Sequence, residues 1–337
     1  MSKRLYYLLS GWAGLWIVAL AAGGWGYRLF TMPGPAPERM LISIAPGSSL
    51  RRIAEQLESS DIISSPAAFT WLCRLTTDVR SLKAGRFAIP ARASMRDIVL
   101  IMVSGVEVLD AVTIPEGLTA IEIVERLVEA GYGEREEYLR MLDDDQFRRE
   151  SGIAAASLEG YLFPDTYHLR SGTPPRQVLE LLIRRFFSVF DTEWREREPD
   201  EVLSGHEVVT LASLVEKETG DAGERGMIAR VFRNRLERGM PLQCDPTVIY
   251  ALPDFDGNLR RQDLDFDSPY NTYRYRGLPP GPICSPGQAS INAALHPEPG
   301  DWVYFVARGD GTHEFNVTLR DHNRAVYTYQ IRRQKSR

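Results

Sequence analysis

The stretch VVTLASLVEKET, residues 208–219, has the pattern of a helix that packs into the interior of the fold. Its apolar residues recur at helical spacing and form one face: Val208, Leu211, Leu214 and Val215. Glu218 lies four residues after Leu214 and continues that face, whereas Glu216 is expected about 200° around the helix. Burial disfavours the charged form of a carboxylic acid, and a proton retained near neutral pH is what a general acid needs. Glu218 is therefore the first candidate for catalysis.

The chain has 337 residues and a formal net charge of -5, which is long enough for two domains with their own cores. Its basic residues are scattered, so the sequence does not predict a nucleic-acid-binding surface. The three cysteines, Cys73, Cys244 and Cys284, are too few and too widely spaced to form a disulfide framework. We expect small, semi-buried cysteines, although an oxidising compartment would permit Cys244 to pair with Cys284.

An uncharged, apolar run at residues 5–27 predicts a membrane anchor. At about 1.5 Å per residue it is long enough to cross a hydrocarbon core of about 30 Å. We assign residues 1–5 to a cytoplasmic tail and residues 6–28 to a single transmembrane helix. Lys3 and Arg4 favour a cytoplasmic N-terminus in the inner (plasma) membrane, with the remaining chain extracytoplasmic.

The alternative for this segment is a cleaved signal peptide, because Ala19-Leu20-Ala21 resembles a small-residue cleavage site. The apolar run continues past that site and is longer than the usual 7–15 residues, roughly, of a signal peptide core. We therefore favour an uncleaved anchor.

Beyond the anchor, the sequence predicts an α+β fold in two parts. Residues 29–40 are rich in Pro and Gly and form a linker, residues 41–107 form a small α+β module, and residues 108–337 form a larger mixed α/β domain. In the module we expect strands at 41–44 and 84–89 and helices at 49–58, 66–75 and 94–104. Its pattern resembles a LysM-like module, and a spacer without a ligand is the alternative.

The larger domain is predicted from the same periodicities. We expect strands at 112–114, 302–307 and 314–317 and helices at 119–130, 134–150, 175–190, 206–219, 222–238, 246–251 and 319–332. Ser94 with Asp97 and Thr119 with Glu122 have the spacing of capping boxes. Residues 241–300 lack regular periodicity but are too apolar to be disordered, so we predict ordered functional loops there.

Four motifs lie in order along the larger domain. They are LEGYLFPDTY at 158–167, ASLVEKET at 212–219, QCDPTVIY at 243–250, and YNTY at 270–273 followed by GLPPGPI at 277–283, SPG at 285–287 and His296-Pro297. Together they resemble the endolytic murein transglycosylase (YceG-like) family over residues 41–332. The chain departs from the family at Cys244, where Thr is more usual, and at Ile283-Cys284-Ser285. Neither departure is expected to touch Glu218.

The resemblance implies an enzyme, a lyase anchored in the inner membrane, that cuts nascent peptidoglycan between N-acetylmuramic acid and N-acetylglucosamine. The product would end in 1,6-anhydro-muramic acid, and the cut would terminate glycan chains near penicillin-binding proteins. The residue that matches the family's catalytic glutamate is Glu218. One acid suffices, because the sugar's own 6-hydroxyl replaces water as the nucleophile. Neither a cofactor nor a metal is implied.

Six further residues are candidates for binding the sugar: Glu159, Asp165, Thr247, Tyr250, Asn271 and Tyr273. The two carboxylates flank a Gly-aromatic turn, where they would orient Glu218, bind sugar hydroxyls or cap the turn. The other four have polar tips suited to hydroxyls, and the tyrosines have faces suited to sugar rings. Asp245 is interpreted as a helix cap, and His296, His313 and His322 are assigned structural roles because their spacing fits no metal motif.

Three other functions compete with this interpretation. A hydrolytic muramidase would need a second carboxylate, for which Asp165 or Glu159 is the candidate. A non-catalytic peptidoglycan-binding scaffold would bury Glu218 in an ion pair with a distant Arg or Lys. A metal-dependent wall peptidase would need ligand spacing that the sequence does not show.

Overall fold

The computed structural model describes residues 16, 20, 23–77, 79–199 and 201–331 and shows a mixed α+β protein. Most of the predicted transmembrane segment, residues 6–28, lies outside the described residues. Among the described residues, no helix has both the length and the apolar character that a membrane crossing requires. The described chain separates into two compact units: one holds residues up to Asp110 with His168–Ser171, and the other holds Ala111–Tyr167 and the chain from Gly172 onward.

The first unit contains strands β1 (Met40–Ile44) and β2 (Gly85–Ile89) and helices α1 (Leu50–Ser59), α2 (Pro66–Thr76) and α3 (Met95–Ser104). The strands are antiparallel, with Met40 opposite Ile89 and Ile44 opposite Gly85. Part of the predicted linker belongs to this unit: the amide of Gly34 donates to the carbonyl of Ala93, and Ala36 is buried. The capping box of Ser94 and Asp97 at the start of α3 is confirmed.

The remaining elements follow in chain order. They are β3 (Asp110–Thr113), α4 (Ala120–Glu129), α5 (Arg135–Leu142), α6 (Asp145–Glu150), β4 (Thr166–Leu169), α7 (Pro175–Arg195), α8 (Gly205–Glu218), α9 (Arg225–Glu237), α10 (Asp245–Ala251), α11 (Gln288–Leu295), β5 (Tyr304–Ala307), β6 (His313–Asn316) and α12 (Leu319–Val326). A π-helical turn, Tyr327–Ile331, follows α12. Strand β3 pairs with β4, and β5 with β6.

Helix α8 is the central element of the second unit. Its eight residues from Val208 to Val215 are all buried, because α9, α10 and α11 pack around it. The single apolar face expected from the sequence is therefore part of a helix buried on all sides, and the side chain of Glu216 is itself buried beside Arg225. The hydroxyl of Ser204 and the carboxylate of Glu207 form a capping box at the start of α8, which fixes where the helix begins.

The predicted hairpin is confirmed, with Tyr304 opposite Asn316 and Ala307 opposite His313. The single helix predicted at 134–150 is wrong, because Asp144 accepts hydrogen bonds from the amides of Gln146 and Phe147 and so starts a second helix. Strand β4 and helix α11 were not predicted, and α11 lies inside the region assigned to loops.

Candidate active site

A cleft of about 390 Å³ lies at the C-terminal end of α8, within the second unit. Glu218, the last residue of α8, lines it together with Asp245 at the start of α10. Arg235 of α9, His313 of β6 and His322 of α12 also line it. The cleft therefore gathers two carboxylates, a guanidinium and two imidazoles from five separate elements.

Glu218 is half-buried, and its carboxyl group has a raised pKa. Burial is the main cause, and the negative charge of Asp245 raises the pKa further. The thiol of Cys244 and the positive charge of Arg235 act in the opposite direction and lower the pKa. In the part of the chain that the structure describes, Glu218 is in no ion pair. The side chain therefore retains a proton to higher pH than an ordinary glutamate and reaches a cleft in which to use it.

The contribution of Cys244 corrects the expectation that departures from the family pattern stay away from Glu218. The Cys244 thiol lowers the pKa of the Glu218 carboxyl group, and Cys244 is almost completely buried. Cys284 is also buried, and it donates its thiol hydrogen to the carbonyl of Ser213. All three cysteines are free thiols in the structure.

Arg235 fixes the wall of the cleft through main-chain carbonyls. Its Nε donates to the carbonyl of Val303 at 2.7 Å, and its Nη1 donates to the carbonyls of Leu242 at 2.6 Å and Pro241 at 3.4 Å. The guanidinium is buried, so these bonds compensate for its lost hydration. Arg235 thereby joins α9 to the loop before α10 and to the segment that enters β5.

Tyr273 is the sole member of the six predicted sugar-binding residues that lines the cleft. Its hydroxyl donates to Oδ1 of Asp245 at 2.5 Å. The interpretation of Asp245 as a helix cap is wrong. Cys244 occupies the N-cap position of α10, and no side chain there accepts a hydrogen bond from the first amides of the helix. Asp245 instead directs its carboxylate to Tyr273 at the edge of the cleft.

His313 is held by a buried carboxylate that the sequence analysis did not single out. Its Nδ1 lies 2.7 Å from Oε2 of Glu224, and its main-chain amide donates to Oε1 of the same residue at 2.9 Å. The ring packs edge-on against Phe305, with 5.4 Å between ring centroids. His322 also lines the cleft and stacks on Tyr304.

The structure does not bring Glu159 or Tyr250 to the cleft. The Glu159 carboxylate is buried and accepts hydrogen bonds from the amide of Ala120 at 3.0 Å and from the hydroxyl of Tyr250 at 3.3 Å. It thus lies at the N-terminus of α4, where the helix dipole favours a negative group. Burial nevertheless raises the pKa of Glu159 to about 7. Tyr250 packs on Tyr270, with 5.0 Å between ring centroids.

Asp165, Thr247 and Asn271 also lie away from the cleft. Asp165 forms an ion pair with Arg185 at 2.7 Å. The fully buried hydroxyl of Thr247 donates to the carbonyl of Cys244, and the fully buried amide of Asn271 donates to the carbonyls of Leu264 and Phe266. The last two residues therefore stabilise the loops of the region 241–300 from within.

Sequence reasoning missed Arg235, Gln243 and the pair formed by His313 and Glu224. The backbone of Gln243 has φ 50°, a left-handed conformation that is uncommon outside glycine, and the residue lines the cleft. No local pattern marks the other three, because they come from segments that meet only in the folded chain. The QCDPT motif was the one available signal, since Asp245 and Gln243 belong to it.

The comparisons with known proteins agree on one family. The family model described as the YceG-like family matches residues 42–328. An endolytic murein transglycosylase of Bacillus subtilis (strain 168) is 34% identical, over 86% of this chain and 84% of that protein. One of Streptococcus pneumoniae serotype 2 is 29% identical, over 93% of this chain and 63% of that longer protein.

Among solved structures, a yceG-like protein of Listeria monocytogenes superposes with a TM-score of 0.59 at 32% sequence identity. The match covers 85% of this chain and 98% of that one. The resemblance read from the four motifs is thus confirmed over most of the sequence, and this chain belongs to the YceG-like family.

Proposed function

We propose that this protein is an endolytic murein transglycosylase, a lyase that cuts peptidoglycan glycan strands between N-acetylmuramic acid and N-acetylglucosamine. The observation that carries the proposal is Glu218, a carboxyl group of raised pKa at the wall of an open cleft. The names of the curated relatives support the same activity.

In the proposed reaction, Glu218 acts twice. As an acid it gives its proton to the glycosidic oxygen, and the bond from that oxygen to the muramoyl anomeric carbon breaks. The 6-hydroxyl of the same muramoyl residue then bonds to the anomeric carbon, and the Glu218 carboxylate takes the hydroxyl proton. The products are a 1,6-anhydro-muramoyl end and a free N-acetylglucosamine 4-hydroxyl, so water is not consumed. The attack is intramolecular, which replaces the second carboxylate of a hydrolase.

We further propose that residues 6–28 anchor the protein in the inner membrane, with residues 108–337 as the extracytoplasmic catalytic domain. The uncharged run at residues 5–27 and the preceding Lys3 and Arg4 support this orientation. Residues 41–107 are then a LysM-like module between anchor and catalytic domain. The natural substrate is nascent glycan, which places the enzyme beside penicillin-binding proteins and other wall-synthesis proteins.

Hydrolysis by a muramidase is the second candidate function, and Asp245 favours it. It is a second carboxylate in the cleft of Glu218, whereas the carboxylates expected from the sequence, Glu159 and Asp165, lie elsewhere. A carboxylate in that position would serve as nucleophile or would activate a water molecule. Its oxygen is engaged by Tyr273, which favours a structural role.

The test is digestion of uncrosslinked glycan strands in water enriched in heavy oxygen, with mass spectrometry of the new ends. We expect anhydro ends that carry no label, because the leaving sugar is displaced by the muramoyl 6-hydroxyl. Reducing ends that carry heavy oxygen would show hydrolysis and make Asp245 the residue to substitute next. Intact strands after incubation with folded enzyme would support the scaffold alternative.

A further inference from the structure

Glu224 is a buried carboxylate, and among the described residues it accepts hydrogen bonds from His313 alone. Its two oxygens accept the main-chain amide of His313 at 2.9 and 3.1 Å, and Oε2 lies 2.7 Å from Nδ1 of the ring. Among the described residues it forms no ion pair with Lys or Arg. Burying a carboxylate costs free energy unless the group is paired. The hydrogen bonds from His313 are therefore what stabilise the Glu224 carboxylate.

The hydrogen bond between Glu224 and Nδ1 of His313 determines which nitrogen of the imidazole ring carries the hydrogen. An ionised carboxylate only accepts hydrogen bonds, so Nδ1 is the donor. When the ring is neutral, Nε2 then bears the lone pair. Nε2 has no hydrogen-bond partner among the described residues, and it is not one of their fully buried unpaired atoms. Because His313 lines the cleft of Glu218, that lone pair is open to whatever the cleft binds.

Packing restricts the ring to this orientation. Only 12% of the His313 side chain is exposed, and the ring lies against Phe305 and Phe315 with centroid distances of 5.4 and 6.3 Å. A side chain locked by aromatic neighbours and a buried hydrogen bond is preorganised, which is the property that active-site groups need.

We propose that His313 is a second catalytic residue of the cleft, which accepts a hydrogen bond at Nε2 from a sugar hydroxyl beside the bond that Glu218 cleaves. Glu224 is its positioning residue. This inference rests on the proposed function, because it names a group that orients the same substrate.

Two variants separate this role from mere support of the fold. Glu224→Gln keeps the shape of the side chain but offers an amide that also bonds a bare Nδ1, so the preference for the Nδ1–H tautomer is lost. His313→Asn keeps a donor near Nδ1 for Glu224 but lacks the atom at Nε2. The matched control is Glu193→Gln, in which a buried carboxylate that binds Gln288 and Asn292 outside the cleft is neutralised in the same way.

The full-length protein and each variant are assayed for cleavage of uncrosslinked glycan strands, and the histidine nitrogens are followed by NMR in ¹⁵N-labelled protein. We expect kcat to fall about 100-fold or more in Glu224→Gln and His313→Asn with little change in KM, and Glu193→Gln to retain kcat. The signal lost in His313→Asn identifies His313, which in the parent protein should be protonated at Nδ1 and bare at Nε2.

Wild-type kcat in either His313→Asn or Glu224→Gln would overturn the proposal, as would protonation of Nε2 rather than Nδ1 in the parent protein. If Glu224→Gln fails to fold, the kcat of His313→Asn and the NMR spectrum of the parent protein still test the proposal. A parent enzyme that leaves glycan intact would overturn the proposed function and this inference together, whereas active variants beside an active parent would remove this inference alone.

Discussion

At the scale of single residues, the chemistry depends on keeping the Glu218 proton while the cleft stays open to a sugar chain. Burial and the nearby Asp245 raise the pKa of Glu218, and the positive charge of Arg235 limits how far it rises. This balance matters because an acid must be protonated before cleavage and must then accept a proton afterwards.

Asp245 should therefore influence how the cleavage rate depends on pH. Asp245→Asn removes a negative charge that raises the pKa of Glu218, so the acid loses its proton at lower pH. We expect the alkaline fall of kcat/KM to move to lower pH than in the parent enzyme, measured as a full pH–rate profile. Asp256→Asn, which neutralises an exposed carboxylate paired with Arg260, should leave the profile in place. A shift to higher pH in Asp245→Asn would contradict this account.

Glu159 should make stability fall as pH rises. Its pKa in the folded protein is about 7, against 4.5 for an ordinary glutamate, so the folded state holds the proton more tightly. Ionisation between those values then destabilises the fold by up to about 3 kcal/mol, whereas Glu159→Gln has no charge to lose. Urea unfolding at pH 5 and pH 8 should show the variant gaining stability relative to the parent at the higher pH. A constant difference between the two proteins would refute the assignment.

At the scale of elements, α8 is the support for the catalytic group, because Glu218 is its last residue and Ser204 caps its start. Ser204→Ala removes the acceptor for the amide of Glu207 and should lower the free energy of unfolding by about 1 kcal/mol. Ser204→Thr, which retains the hydroxyl, should recover most of that loss in the same urea titration. Equal stability of all three proteins would show that the cap does not contribute.

The elements that could be predicted have strong local signals. The capping boxes at Ser94 and Thr119 place α3 and α4 within a residue or two, because a cap is a contact between near neighbours in sequence. Helix α11 escaped prediction because QASINAAL has small apolar residues and lies among Pro and Gly. Strand β4 has four residues, too few to establish an alternating pattern.

The candidate site also has one part that local sequence predicts and another that it does not. Glu218 could be proposed from the apolar positions of its own helix, which are local information. The pairing of Glu224 with His313 joins residues 89 positions apart, and Arg235 reaches Val303 across 68 positions. Such contacts exist only in the folded chain. From the sequence, the polar tips of Thr247 and Asn271 were therefore interpreted as sugar contacts, whereas in the structure they donate to main-chain carbonyls.

At the scale of the whole molecule, the segment before β1 joins the proposed anchor to the first unit. Phe30 packs against that unit's core, and the amide of Arg92 donates to the carbonyl of buried Ala36. We expect a chain that begins at residue 29 to leave the membrane fraction and to keep full stability. A chain that begins at residue 40 should unfold at lower temperature, because Phe30 and Ala36 are gone. Equal melting temperatures, or membrane association without residues 1–28, would contradict this prediction.

The most direct test of the central claim compares the products of the parent enzyme with those of Glu218→Gln on uncrosslinked glycan strands. Glu193→Gln serves as the folded control. We expect the parent and the control to release anhydro-ended fragments, and Glu218→Gln to release them about 10²–10⁴-fold more slowly while remaining folded. Anhydro-ended fragments from Glu218→Gln at the parent rate would contradict the assignment of Glu218 as the proton donor.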